Sequence, residues 1–135
     1  MKELTCPARV ENIATVVDFV GGELDAVDCP MRPHLQIDVA IDELFTNISQ
    51  YAYAPGTGDA TVRFEYDPEA RLVTLTFIDR GVPYNPLEHQ DPDTSLPAEE
   101  REIGGLGIFL VKKTMDALRY EHRDGCNILY VEKKI

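Results

Sequence analysis

The strongest constraint on this chain is a change of hydrophobic period between Met31 and Asp79. Ile37, Ile41, Leu44 and Ile48 recur at steps of four, three and four, which predicts one long amphipathic helix from Met31 to Tyr51. The turn-rich "APGTGD" stops it. The pattern then alternates in "TVRFEYD" (61–67) and "RLVTLTFID" (71–79) around "PEA", a β-hairpin signature. A helix with one apolar stripe beside strands with one apolar face buries both by lying on the sheet.

The flanking segments extend this plan. "KELTC" (2–6) reads as a short strand. "VENIATVVDFVGGEL" (10–24) has apolar residues at 13, 16, 17 and 20, a helical spacing, with Gly21-Gly22 expected to end the helix. From Arg80 to Ile103 the chain carries four prolines and is otherwise mostly polar. That predicts a long loop with one short helical turn, and loops of this length are often functional. The stretch "IGGLGIFLVKK" then leads into a helix over about 107–116. Two strands follow, "ALRYEHR" and "NILYVEKK", joined by the turn "DGC". The order β-α-α-β-β-loop-α-β-β predicts an α/β (α+β) two-layer sandwich, with one mixed sheet and about three helices on a single face. At 135 residues, positions 1–135 form one domain.

Charge narrows the range of partners. Thirteen Lys and Arg against 24 Asp and Glu leave −11, a balance that repels a phosphate backbone and argues against direct DNA or RNA binding. Any phosphate site must therefore be local, built from backbone N–H groups, a helix dipole and a metal ion. A basic protein partner suits this field. No apolar run approaches the roughly 18–20 residues of a membrane span, and the N-terminus has no signal-peptide core, so a cytoplasmic protein is expected. The three cysteines are widely spaced without a CxxC pair, which fits reduced thiols and neither a disulfide framework nor a zinc knuckle.

Several short constellations are compatible with chemistry. Glu43 and Asn47 stand at i and i+4 on the long helix, on a side read as roughly opposite the apolar stripe and facing away from the sheet. From spacing they are a solvated polar face or a functional pair. "IDRGVP" (78–83) ends an apolar strand with Asp79 and a glycine two residues on, either a plain turn or a carboxylate poised for a ligand amine. The glycine stretch is not a Walker A, because no Gly-Lys-Ser/Thr follows. It is not a dinucleotide fingerprint, because a loop and not a strand precedes it. What remains is a glycine-rich entry to a helix N-terminus, which can face an anion. "DPDTSLPAEERE" (91–102) imitates a calcium loop, but Leu96 replaces the required glycine and two prolines interrupt it. The three histidines are dispersed.

Taken in order, "DELFTNISQYAY", "DRGVPYNP", "GGLGIFLVKKTMD" and "DGCNILYVEKK" resemble the ATP-binding motifs of the GHKL superfamily. The resemblance is to the anti-sigma factor serine kinase branch (RsbW/SpoIIAB-like) and runs over about residues 1 to 135. It implies a Bergerat-type fold binding ATP and Mg2+, with a lid at about 86–103. It implies Glu43 as general base toward a substrate serine and Asn47 as Mg2+ ligand. Asp79 would accept from the adenine amino group, with Gly81 leaving room for the ring and Pro83 in the same motif. Gly104, Gly105, Leu106 and Gly107 would line the phosphates. Where relatives often have Phe-Asp, this chain has Tyr84-Asn85. Where many carry a threonine near the adenine, it offers Asn127 or Cys126. The implied partners are a STAS-domain anti-sigma factor antagonist and a sigma factor or other regulatory protein, with a homodimer expected. A kinase and an ATP-dependent binding module without phosphoryl transfer both fit these motifs. A sensor histidine kinase would need a further dimerising domain.

Overall fold

In the computed structural model, residues 1–88 and 105–135 are described, with backbone only at 105 and 106. Gly104, the predicted lid beyond Glu88 and the calcium-like segment at 91–102 lie outside the described residues. The elements are β1 (Lys2–Pro7), α1 (Ile13–Ala26), α2 (Met31–Asn47), β2 (Asp59–Asp67), β3 (Leu72–Asp79), α3 (Gly105–Thr114), β4 (Ala117–Arg123) and β5 (Cys126–Lys134). A π-helical turn, Ile48–Ala52, continues α2, and a 3-10 turn, Pro86–Glu88, follows β3.

The two-layer α+β sandwich expected from the element order is the one that forms. Its five strands lie in the order β1-β2-β3-β5-β4. The sheet is not mixed: all four strand pairings are antiparallel. β4 does run parallel to β3, as the intervening helix dictates. The β4–β5 hairpin folds back, however, and inserts β5 between them, so no parallel pair is made among the described residues.

Alternation selects one sheet face for the helices. Ala60, Val62 and Phe64 of β2, Val73, Leu75 and Phe77 of β3, and Leu129 and Val131 of β5 are buried in one core. Val16, Val20 and Leu24 of α1, Ile37, Ile41, Leu44 and Phe45 of α2, and Ile108 and Val111 of α3 complete it. Each fully buried Leu, Ile or Phe contributes about 1.5–3 kcal/mol, so these stripes decide the layering.

Gly21 and Gly22 do not end α1, which runs through them to Ala26. Each glycine costs roughly 1 kcal/mol in a helix interior, but Leu24 is fully buried one turn after Val20 and outweighs that local preference. The stop comes just beyond, at Asp28, whose φ of 56° is left-handed, with the Cys29 N–H donating to Leu24 O at 3.0 Å. The β4–β5 turn follows its sequence closely. Asp124 and Gly125 have φ of 55° and 78°, the pair of positive values a two-residue hairpin favours. Among the described residues no helix is long and apolar enough to cross a membrane.

Candidate functional site

The site lies where the C-terminal end of α2 passes over the ends of β3 and β5. Leu44, Ile48 and Ala52 from the helix side face Phe77 and Leu129 from the sheet across an apolar slot. Asn47, Asp79, Asn127 and Tyr120 contribute the polar atoms. An apolar cleft with a few convergent polar groups is the usual form of a small-molecule pocket. The helix changes to π geometry here, and such widened turns occur often at functional sites.

Asp79 is on the helix-facing side by strand parity, two residues beyond Phe77, and is only 6 % exposed. Its Oδ1 accepts from the Gly81 N–H at 2.9 Å and from Asn127 Nδ2 at 2.9 Å. Asp79 and Asn127 are direct partners in the β3–β5 register. The segment after β3 is anchored to the π turn, where the Val82 N–H donates to Ala52 O at 2.8 Å. A Cβ at Gly81 would overlap the backbone and side chain of Ala52. The neighbour that requires glycine at 81 within the protein is therefore the end of the α2 extension. Pro83 lies at the outer mouth of the cleft with Tyr84, Asn85 and Glu88.

The mouth is bordered by aromatic rings. Tyr51 and Tyr84 approach with centroids 5.3 Å apart and a tilt of 33°. Tyr53 donates to Asp59 O at 2.6 Å and accepts from the Arg80 N–H at 2.7 Å, tying the π turn to both strands of the hairpin. Burial pushes the phenols of Tyr53, Tyr84 and Tyr120 upward, so they remain protonated through the neutral range.

Glu43 and Asn47 do not occupy the outer face of α2. That face belongs to Met31, Leu35 and Val39, which are 77 %, 56 % and 50 % exposed. At about 100° per residue, Glu43 and Asn47 lie about a third of a turn from the apolar stripe, on a flank where they are half-buried. Asn47 Nδ2 is buried without a hydrogen-bond partner among the described residues. One turn earlier, the Glu43 carboxylate lies against Gly107 in the first turn of α3, where a Cβ would overlap it. The α3 C-terminus is stabilised by Lys112 and Lys113 in its last turn and by Lys133 Nζ donating to Thr114 O at 2.6 Å.

Asn47, Asp79 and Asn127 thus line one cleft, and the Glu43–Gly107 contact lies one helical turn from Asn47 along α2. Gly105 opens α3, Leu106 is in its first turn, and Gly104 falls outside the described residues. Sequence reasoning missed Tyr120 and Ala52. Tyr120 shares strand parity with Leu118, which was the available signal, while the position of Ala52 depends on the π turn and left none. Among the described residues no cluster of three or more His, Cys, Asp or Glu could hold a metal ion by itself. A cation here would take a protein amide and ligand oxygens, a donor set suited to a hard divalent ion.

The model of the histidine kinase-like ATPase domain matches residues 6–133. Serine/threonine-protein kinase BtrW of Bordetella bronchiseptica is 31 % identical over 98 residues, covering 73 % of this chain and 68 % of that protein. Serine-protein kinase RsbW of Bacillus mycoides is 26 % identical over 140 aligned positions, covering 98 % of this chain and 86 % of its own length. RsbW of Bacillus cereus (strain B4264) aligns with the same identity and coverage. With a cleft of this shape and a match spanning nearly the whole sequence, the chain belongs to the histidine kinase-like ATPase (GHKL) family, in the branch of the RsbW-like serine kinases.

Proposed function

We propose that this protein binds ATP with Mg2+ in the cleft between α2 and the sheet and phosphorylates a serine on a partner protein. The observation that carries the reading is the flank of α2. A carboxylate lies against the glycine in the first turn of α3, one helical turn from a buried amide nitrogen without a partner among the described residues. The residues present fit the nucleotide. Asp79 offers an acceptor in the apolar slot, Asn47 an amide, and the Gly105–Gly107 turn an N-terminal helix end for phosphate oxygens. Bound ATP·Mg2+ would supply the phosphoryl group and the charge neutralisation that its transfer requires.

The chain's own residues do the rest. The apolar walls, Phe77 and Leu129 below and Ile48 and Ala52 above, exclude water from the base. Asn47 would ligate the metal through its amide oxygen, leaving Nδ2 to donate to a phosphate oxygen. Glu43 would accept the proton of an incoming serine hydroxyl, and a positioned carboxylate base is typically worth 10²–10⁴ in rate. Pro83 and the Pro86–Glu88 turn would border the bound nucleotide, with Gly105 to Gly107 against the phosphates.

Similarity to kinases named RsbW and BtrW supports a serine of a protein as the acceptor. We assign the partners as a STAS-domain anti-sigma factor antagonist and a sigma factor, bound alternately by a cytoplasmic homodimer. The net charge of −11 favours basic docking surfaces on them. Calorimetric titration with ATP, with and without Mg2+, tests the first step. Metal-dependent binding is expected, and no heat at millimolar ATP would rule the reading out. Transfer of labelled phosphate to the serine of a STAS-domain partner tests the second. Metal-dependent binding without transfer would leave a nucleotide-controlled binding module.

A further inference from the structure

Asn127 stands in the cleft with all of its hydrogen-bonding capacity in use. A primary amide has two N–H donors and an oxygen that accepts twice. Nδ2 donates to Asp79 Oδ1 at 2.9 Å and to the Val82 carbonyl at 2.8 Å. Oδ1 accepts from the Tyr84 N–H at 3.2 Å and from the Tyr120 hydroxyl. Two of these partners fix which end is which. A backbone N–H can only donate and a backbone carbonyl can only accept, so the oxygen must face Tyr84 and the nitrogen Val82. The residue is 5 % exposed, and the four protein groups leave no hydrogen bond for a ligand.

The same contacts determine the state of Asp79. Its Oδ1 holds two donors, from Gly81 and Asn127, while Oδ2 accepts from none of the described residues. One oxygen is committed to the protein and the other is left for the cleft. The amide also holds the root of the loop, since Val82 and Tyr84 are the second and fourth residues after Arg80 and both bond to it.

We propose that Asn127 is a positioning residue that never touches nucleotide: it locks the Asp79 carboxylate with Oδ2 turned toward the base and ties the root of the following loop to the same point. The proposal rests on the nucleotide reading above and adds how this chain builds base recognition with an amide. A pre-set carboxylate loses less freedom on binding, so base affinity depends on the donor from residue 127 and not on its bulk. Base contact and loop position also become coupled through one side chain. Tyr120 adds the fourth hydrogen bond to the amide from β4.

The isosteric pair Asn127→Thr and Asn127→Val separates a donor from a shape. Cross-strand neighbours place a threonine hydroxyl within reach of Asp79, whereas valine offers nothing. In Mg2+·ATP titrations of the full chain, the Thr variant is expected within about threefold of wild type and the Val variant weaker by about tenfold or more, as for a lost charge-assisted bond. Asn127→Asp supplies a second signature. Two facing carboxylates repel when both are ionised and share a proton when one is not. Its deficit relative to wild type at the same pH should therefore shrink by about tenfold from pH 8 to pH 5. The nearby phenols of Tyr53, Tyr84 and Tyr120 stay neutral over this range. Glu43, Tyr51, Asp59, Glu88 and Cys126 also lie around this cluster, and His122 is the β4 partner directly across from position 127. All are shared with wild type, so the comparison at equal pH isolates the new carboxylate. Circular dichroism melts verify that each variant is folded, and the Thr/Val comparison stands if the Asp variant does not fold. Equal affinity of the Thr and Val variants, or an Asp deficit unchanged with pH, overturns the positioning role while leaving the nucleotide site intact. Absence of ATP binding by wild type overturns both.

Discussion

The Glu43 carboxylate occupies the space that a side chain on residue 107 would need. The glycine motif and the acidic helix residue are thus one packing unit, joined across α2 and α3. Glu43 is flexible at its far end, so Gly107→Ala should displace the carboxylate without unfolding the chain. Alanine also favours the helix by up to about 1 kcal/mol. The expected variant melts at or slightly above the wild-type temperature and loses phosphoryl transfer by at least about tenfold. Paired melting and transfer assays check this; wild-type transfer rates would show that the displaced carboxylate has no part in the chemistry.

Gly81 makes the opposite prediction, because what a Cβ meets there is the backbone of Ala52. Backbone cannot rotate away. Gly81→Ala should destabilise the fold by about 1–3 kcal/mol, the usual cost of overpacking, and weaken the Val82–Ala52 hydrogen bond. Gly22→Ala is the control. Nothing lies within 4 Å of a Cβ there, so it should stabilise α1 by about 0.5–1 kcal/mol. Urea unfolding of the two variants should shift midpoints in opposite directions.

Asn47 and Glu43 share a flank but should separate in function. Asn47→Ala is expected to abolish Mg2+·ATP binding in calorimetry. Glu43→Ala should keep binding and lose transfer by about 10²-fold or more. Wild-type affinity in Asn47→Ala would disprove the metal site.

Asp38 gives a pH-dependent prediction away from the cleft. Burial pushes its carboxyl upward, against a smaller opposing effect of His34, and its Oδ1 has no partner among the described residues. A folded-state value above the unfolded one means the native state holds the proton more tightly. Stability is then lost as pH rises from the unfolded value through the folded one. Asp38→Asn removes the ionisation, so it should raise the melting temperature by a few degrees near pH 7, with the gain fading toward pH 4. A constant difference across that range would contradict the assignment.

Much of the site was legible before the fold because its residues travel in short contiguous motifs. Asp79 could be placed at a strand end from "LTFID" alone, and Asn47 one turn from Glu43 from the helical repeat. The roles of their neighbours were less accessible. Gly81 read as room for a ring, yet its close contact is with a helix extension whose π geometry has no sequence signature. Glu43 and Asn47 read as an outward face because angular position on a helix is coarse, and a flank becomes interior only once a neighbouring helix packs there. Asn127 could be noted as a departure from threonine, but its four partners come from three different segments.

By itself the sequence determined the kinds of element, their order and two of the turns, since hydrophobic period and turn chemistry are properties of a few adjacent residues. Asp124-Gly125 needed no tertiary help to become a hairpin turn. Tertiary structure alone decided that β5 enters between β3 and β4, that α1 continues through two glycines, and that Asn127 meets Asp79 across 48 positions of chain. Those outcomes depend on strand register and on burial summed over the whole core, and both arise only when distant segments pack together.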